Sequence, residues 1–211
     1  MTILPQRFRG AFAADNKREA NTIIASSIRI TLLFSFPCVV GLSALATPIL
    51  NALYGTDASS GMLQVLAFAI VWVTLVSVTS SILQAAGRVW LPVVHMIIGS
   101  AVKIAASYIF IGIPSLNILG TSVSTVLCYF TIAALNIYAV MRTTGFKFSI
   151  KDFVPKPCAA SVMMGIVTVA ACKVGSNLFP GGRLGSVALT LVCMIVAAAV
   201  YFAAVLLLRD C

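Results

Sequence analysis

An all-α integral membrane protein with six spanning helices is what this chain specifies, on three grounds: its apolar composition, its long unbroken apolar runs, and the lopsided placement of its basic residues. Of 211 residues, 61% are apolar and only 9% charged, and mean hydropathy is +1.09. A water-soluble domain of this size has no core large enough to hide that much apolar side chain, whereas ~20 consecutive apolar residues match the ~30 Å of hydrocarbon in a bilayer. Six such runs are separated by short polar or Gly/Pro-containing breaks. None alternates in polarity as the ~10-residue strands of a membrane β-barrel do.

Residues 1–22 read as a cytoplasmic connector, polar and basic, broken by Pro5 and Gly10, with an amphipathic helix expected from Ala11 onward. No cleavable signal is expected there, because the apolar run that follows is longer than a signal h-region. Thr2-Ile3-Leu4-Pro5 reads as the tail of an apolar element, so the start is expected to be a truncation. The first span, 23–47, carries Arg29 about two turns in and Pro37 near its middle. Arg29 is a headgroup anchor or a cavity residue. Pro37 removes one backbone hydrogen bond and bends the helix, as a hinge or as a static kink. Pro48 and Gly55 mark the outer end of this element.

The second span, 62–83, places Thr74, Ser77 and Ser81, followed by Gln84, along one side. The third, 91–111, holds Lys103 near its centre, with His95 near one end as its only other ionisable acid or base besides tyrosine. On the fourth, 118–141, Thr121, Ser124, Thr125, Cys128 and Asn136 form a further stripe. From Arg142 to Pro157, Phe146, Phe148 and Phe153 interleave with Lys147, Lys151 and Lys156, as in a short amphipathic piece lying on the cytoplasmic leaflet. Pro155 and Pro157 then open the fifth span, 158–178, in a first turn where missing amides cost little. The sixth is 184–208. No charged tract or Ser/Gly linker divides the six, so they form one helical unit.

Orientation follows from Lys and Arg, which are retained on the cytoplasmic side of short loops. With the N-terminus inside, ten of the 14 basic residues are cytoplasmic, Lys173 and Arg183 are outside, and Arg29 and Lys103 lie within spans. Both termini are therefore expected in the cytoplasm of a plasma-membrane protein. The net charge of +9 is explained by topology and anionic lipid, not by nucleic acid.

Lys103 is the sharpest site clue. About 12 residues at 1.5 Å per residue put it ~18 Å from Leu91, beyond easy snorkelling. A charge at that depth costs a few kcal/mol unless it faces protein or water. Gly99, Lys103 and Ser107 share one face with Met96. Three polar stripes can enclose a wet cavity in which Lys103 attracts an anion, and the alternative for the Ser/Thr stripes is helix packing alone. His95, only ~6 Å into its span, is expected to be solvated at the interface, with proton coupling as the alternative.

Other chemistries find no support in the residues. The five carboxylates, Asp15, Glu19, Asp57, Asp152 and Asp210, lie outside the spans and are not paired at catalytic spacing. A membrane-embedded enzyme is therefore not expected, and the lack of an intramembrane acid weakens the case for a cation-coupled exporter. The six cysteines show no CxxC or Cys/His ligand pattern, so no metal or other cofactor is expected.

The order of features carries a resemblance. Leu4-Pro5, Asp15 in an alanine-rich basic connector, the run Ile28 to Leu33 leading to Pro37, and Pro48-Ile49-Leu50 closing on Leu53-Tyr54-Gly55 resemble the second lobe of bacterial polysaccharide flippases. Ser81 to Arg88 at a turn, Gly99 to Lys103, and Leu119-Gly120-Thr121-Ser122 extend the likeness over nearly the whole chain. It looks most like the stage V sporulation protein B and oligosaccharide flippase branch, relatives of the lipid II flippase and of MATE exporters. The resemblance implies a fourteen-helix architecture in two lobes, of which these would be the last six helices. It implies alternating access, a lipid-linked anionic saccharide as substrate, a peptidoglycan or spore-cortex setting, and a partner: the missing N-terminal lobe or a second copy. A MATE-type exporter lobe and a non-transporting scaffold for cell-wall assembly are the alternatives.

Overall fold

The computed structural model describes residues 17–56, 59–113, 117–146, 155–178, 190–201 and 203. All regular structure among them is helical: α1 (Lys17–Ala44), α2 (Ala46–Tyr54), α3 (Ser60–Ala67), α4 (Ala69–Ala85), α5 (Trp90–Ile111), α6 (Asn117–Thr144) and α7 (Pro155–Leu178), followed by an apolar helical stretch, α8 (Thr190–Tyr201). Four candidate spans are long and apolar enough to cross a bilayer: Ala20–Ala44, Ser60–Ala85, Trp90–Ile111 and Leu119–Thr144. The second is built from α3 and α4, joined through a tight turn at Phe68 whose amide bonds to the Val65 carbonyl. Of the fifth and sixth expected spans the described residues include the apolar stretches Pro157–Ala171 and Thr190–Tyr201, while 184–189, 202 and 204–208 of the sixth lie outside the described residues. The expected amphipathic helix from Ala11 falls largely outside the described residues, with α1 already helical at Lys17.

Glycines end three helices where the chain must enter the left-handed region. At Gly87 (φ 78°) the Arg88 amide returns to the Leu83 carbonyl and the Gly87 amide to Gln84, a Schellman closure of α4. Gly145 (φ 69°) closes α6 more simply, its amide bonding to Met141. Gly55 (φ 70°) closes α2 in the same way on Asn51. These turns hold the backbone of Arg88 and the last turn of α6, which carries Arg142, in fixed positions.

Two apolar clusters share α1. Ile24, Ile28 and Leu32, spaced four apart, pack against Leu75, Val76, Ile82 and Leu83 of α4 and against Ile132, Ala133 and Val140 of α6. Farther along α1, Leu33 and Val40 pack against Ala160 and Met164 of α7 and Ala197 and Tyr201 of α8. In hydrocarbon, apolar burial does not by itself drive helices together, so close approach and hydrogen bonds carry the association. Gly165 illustrates this, since a Cβ there would lie 2.5 Å from Val40 Cγ1. The opposite face of α5 is bare, with Ile97, Ile104 and Tyr108 exposed, as expected of a surface that meets lipid.

Phe146 departs from expectation. The neighbouring lysines predict a place on the leaflet surface, but the side chain is 8% exposed and joins the core cluster. The αL turn at Gly145 and a bond from the Phe146 amide to the Thr144 hydroxyl fold it back onto the bundle. Phe148 and Phe153 lie outside the described residues.

Pro37 sits inside an α1 that runs unbroken to Ala44. Its ring nitrogen has no proton for the Leu33 carbonyl, which lies four residues earlier. The Tyr201 hydroxyl of α8 donates to that same carbonyl. The group released by proline is thus satisfied by another helix.

Candidate functional site

The seam between α5 and α6 is antiparallel and repeats every four residues. Ser107 Oγ and Ser124 Oγ are 2.7 Å apart. Lys103 and Cys128 stand at the next matching positions of the two helices. Gly99 faces Ile132, whose Cγ1 is only 2.2 Å from where a Cβ would sit. His95 Nδ1 is 2.7 Å from Asn136 Oδ1. Each step moves four positions down α5 and four up α6, as ridges of i, i+4 side chains do when they interlock.

The last of these contacts continues into a third helix. Asn136 is fully buried, and its Nδ2 donates to Ser80 Oγ of α4 at 2.9 Å. That donation turns Asn136 Oδ1 toward the imidazole, so Nδ1 of His95 is the donor and carries a proton. The Nε2 position is left without a protein partner among the described residues. His95 was expected to be solvated at the interface; instead it is 9% exposed and tied into a relay spanning α4, α5 and α6. A buried imidazole requires partners in hydrocarbon, and Asn136 supplies one.

One edge of His95 faces a cavity of about 490 Å³ lined by Arg88, Leu91, His95, Tyr138, Arg142 and neighbours. Both arginines are exposed. Beside it lies an apolar cavity of about 640 Å³ lined by Leu32, Phe36, Trp72, Phe130, Tyr138, Met141 and other apolar residues. Trp72 and Phe130 meet edge to face there, with centroids 4.8 Å apart. Tyr138 lines both cavities. A third, of about 500 Å³, lies between α1, α7 and α8 and includes Pro37 and Tyr201.

The residues singled out from sequence fall into two groups. His95 and Asn136 are in direct contact. Gly99 and Ser107 lie on the α5 seam with a half-buried Lys103. Thr74, Ser81 and Thr125 donate to carbonyls of their own helices, which is how hydroxyls are satisfied in lipid. Ser77 is exposed on α4, and Arg29 is exposed on α1. None of the three cavities is lined by Lys103, Thr74, Ser77, Ser81 or Thr125. Nothing in the sequence singles out Ser80, and topology alone accounts for Arg88 and Arg142 there. One signal was available: both arginines fall on the same predicted side of the membrane, each just past a polar stripe.

The family model described as lipid II flippase MurJ matches residues 1–192. The uncharacterized membrane protein YabM of Bacillus subtilis is 25% identical over 179 residues, covering 84% of this chain. The chain spans 33% of the length of that relative.

Proposed function

The chain belongs to the lipid II flippase MurJ family, and from that premise we propose that it is the second, six-helix lobe of a carrier that moves lipid-linked cell-wall precursors across the plasma membrane by alternating access. Both termini are then cytoplasmic, and the working unit is completed by a first lobe or by a second copy. Membership of the family is the observation that carries the reading. The relay from Ser80 through Asn136 to His95 supports it, because a buried polar network that opens onto a basic cavity gives an anionic headgroup a place to enter. The assignment to a stage V sporulation protein B-like branch rests on the order of motifs along the chain. Lys103, at mid-depth in the α5–α6 seam, is assigned to the translocation step, where a charge held within the bundle favours passage of a pyrophosphate group.

Reconstitution tests this reading. Vesicles containing this chain together with a first-lobe chain are expected to translocate a fluorescent lipid-linked oligosaccharide. Lys103→Met is expected to lower the rate about tenfold or more, the equivalent of ~1.4 kcal/mol in the barrier, while membrane insertion is retained. No translocation by the paired lobes, with both correctly inserted, defeats the carrier reading. An unchanged rate in Lys103→Met reduces that residue to a packing role.

A further inference from the structure

We propose that the basic cavity formed by Arg88, His95 and Arg142 is a binding site for the phosphate group of a lipid, whose hydrocarbon chain lies in the adjoining apolar cavity. The two arginines come from elements more than fifty residues apart in sequence, yet they line one space. Each is placed by a glycine-closed helix end: Arg88 just after the Schellman turn of α4, Arg142 in the last turn of α6. The carbonyl ends of α4 and α6 contribute roughly half a negative charge each, which the two guanidinium charges outweigh. Guanidinium forks suit phosphate oxygens, which accept paired N–H bonds.

His95 adds a ring nitrogen to the same wall, held in place from behind by Asn136 and Ser80. The cavity alone would suit any small anion. The apolar cavity beside it, with Tyr138 shared between them, selects a molecule with a charged head and a greasy tail. Trp72 and Phe130 give the tail a rigid aromatic wall. Two sources present this chemistry: a resident anionic phospholipid, or the pyrophosphate end of a polyprenyl carrier. The second rests on the flippase reading; the site itself does not.

The test uses the full chain in phosphatidylcholine nanodiscs, with binding followed by native mass spectrometry. The probes are inorganic pyrophosphate, farnesyl pyrophosphate, phosphatidylglycerol and uncharged farnesol. Farnesyl pyrophosphate or phosphatidylglycerol is expected to bind, and Arg88→Gln/Arg142→Gln to weaken it about tenfold or more, ~1.4 kcal/mol per factor of ten. Arg88→Lys/Arg142→Lys, which keeps the charge and loses the paired N–H bonds, is expected to bind more tightly than the double Gln variant and less tightly than the unaltered chain, and each single Gln variant to give an intermediate loss. Phe130→Ala is expected to weaken both lipid probes and leave inorganic pyrophosphate unchanged. Preference for farnesyl pyrophosphate identifies the carrier headgroup as the source, and preference for phosphatidylglycerol identifies a resident phospholipid; each supports the site. Farnesol binding as tightly as farnesyl pyrophosphate overturns it, as does undiminished binding by the folded Gln variants. Failure of translocation with binding intact counts against the flippase reading and leaves this site standing.

Discussion

The hydroxyl of Tyr201, on α8, donates to the backbone carbonyl of Leu33, the carbonyl that Pro37 leaves without its helical partner. A hydrogen bond therefore links the proline-containing turn of α1 to the last described helix. It also gives α8 a polar attachment in a cluster that is otherwise apolar.

This pairing predicts a thermodynamic coupling. Tyr201→Phe is expected to cost ~0.6 kcal/mol, the average for interhelical hydrogen bonds in membranes, and no more than ~1.7 kcal/mol. In a Pro37→Ala background the backbone amide of position 37 can bond to Leu33 again, so the same Tyr201→Phe change is expected to cost much less. A double-mutant cycle on SDS-induced unfolding in detergent measures it. Equal costs in both backgrounds refute the link.

Asn136 holds His95 and Ser80 at once, so its loss strands more than one group. Asn136→Leu leaves a buried imidazole N–H unsatisfied and is expected to destabilise by ~1–3 kcal/mol. His95→Leu/Asn136→Leu, which removes donor and acceptor together, is expected to recover part of that loss. Thermal unfolding of the purified chain in detergent reads both. If the double variant is less stable than Asn136→Leu alone, the contact is not the source of the cost.

Gly99 is required by distance alone. Its φ is ordinary for a helix, but a Cβ would lie 2.2 Å from Ile132 Cγ1 and 2.6 Å from Cδ1. Gly99→Ala is expected to force the helices apart and cost ~1–3 kcal/mol, the usual range for overpacking. Ile132→Ala opens the space, so Gly99→Ala/Ile132→Ala is expected to be more stable than Gly99→Ala. Additive losses in the pair would show that the α5–α6 seam is looser than its geometry implies.

Much of the architecture was legible because hydropathy reports directly on membrane insertion. Trp90–Ile111 follows the expected 91–111 almost residue for residue, because Gly87 and the polar turn before it end one helix and Gly112 ends the next. Pro155 opens α7 as first-turn prolines do. Less could be read where neighbours decide. Phe146 has the sequence context of a surface aromatic, and only the turn at Gly145 carries it inward. His95 reads as interfacial by depth, and only the presence of Asn136 on the facing helix makes its burial tolerable.

The sequence by itself determined that this is a helical membrane protein, where its apolar helices lie along the chain, which family it resembles, and that a lysine and a histidine sit within one span. Tertiary structure alone decided that His95 meets Asn136, that Arg88 and Arg142 share a cavity, and that Tyr201 serves the carbonyl freed by Pro37. The reason is physical. Transfer into lipid depends on the composition of a segment and is summed along it, whereas the rotation and register of one helix against another depend on side-chain shape and a few hydrogen bonds between residues far apart in the chain.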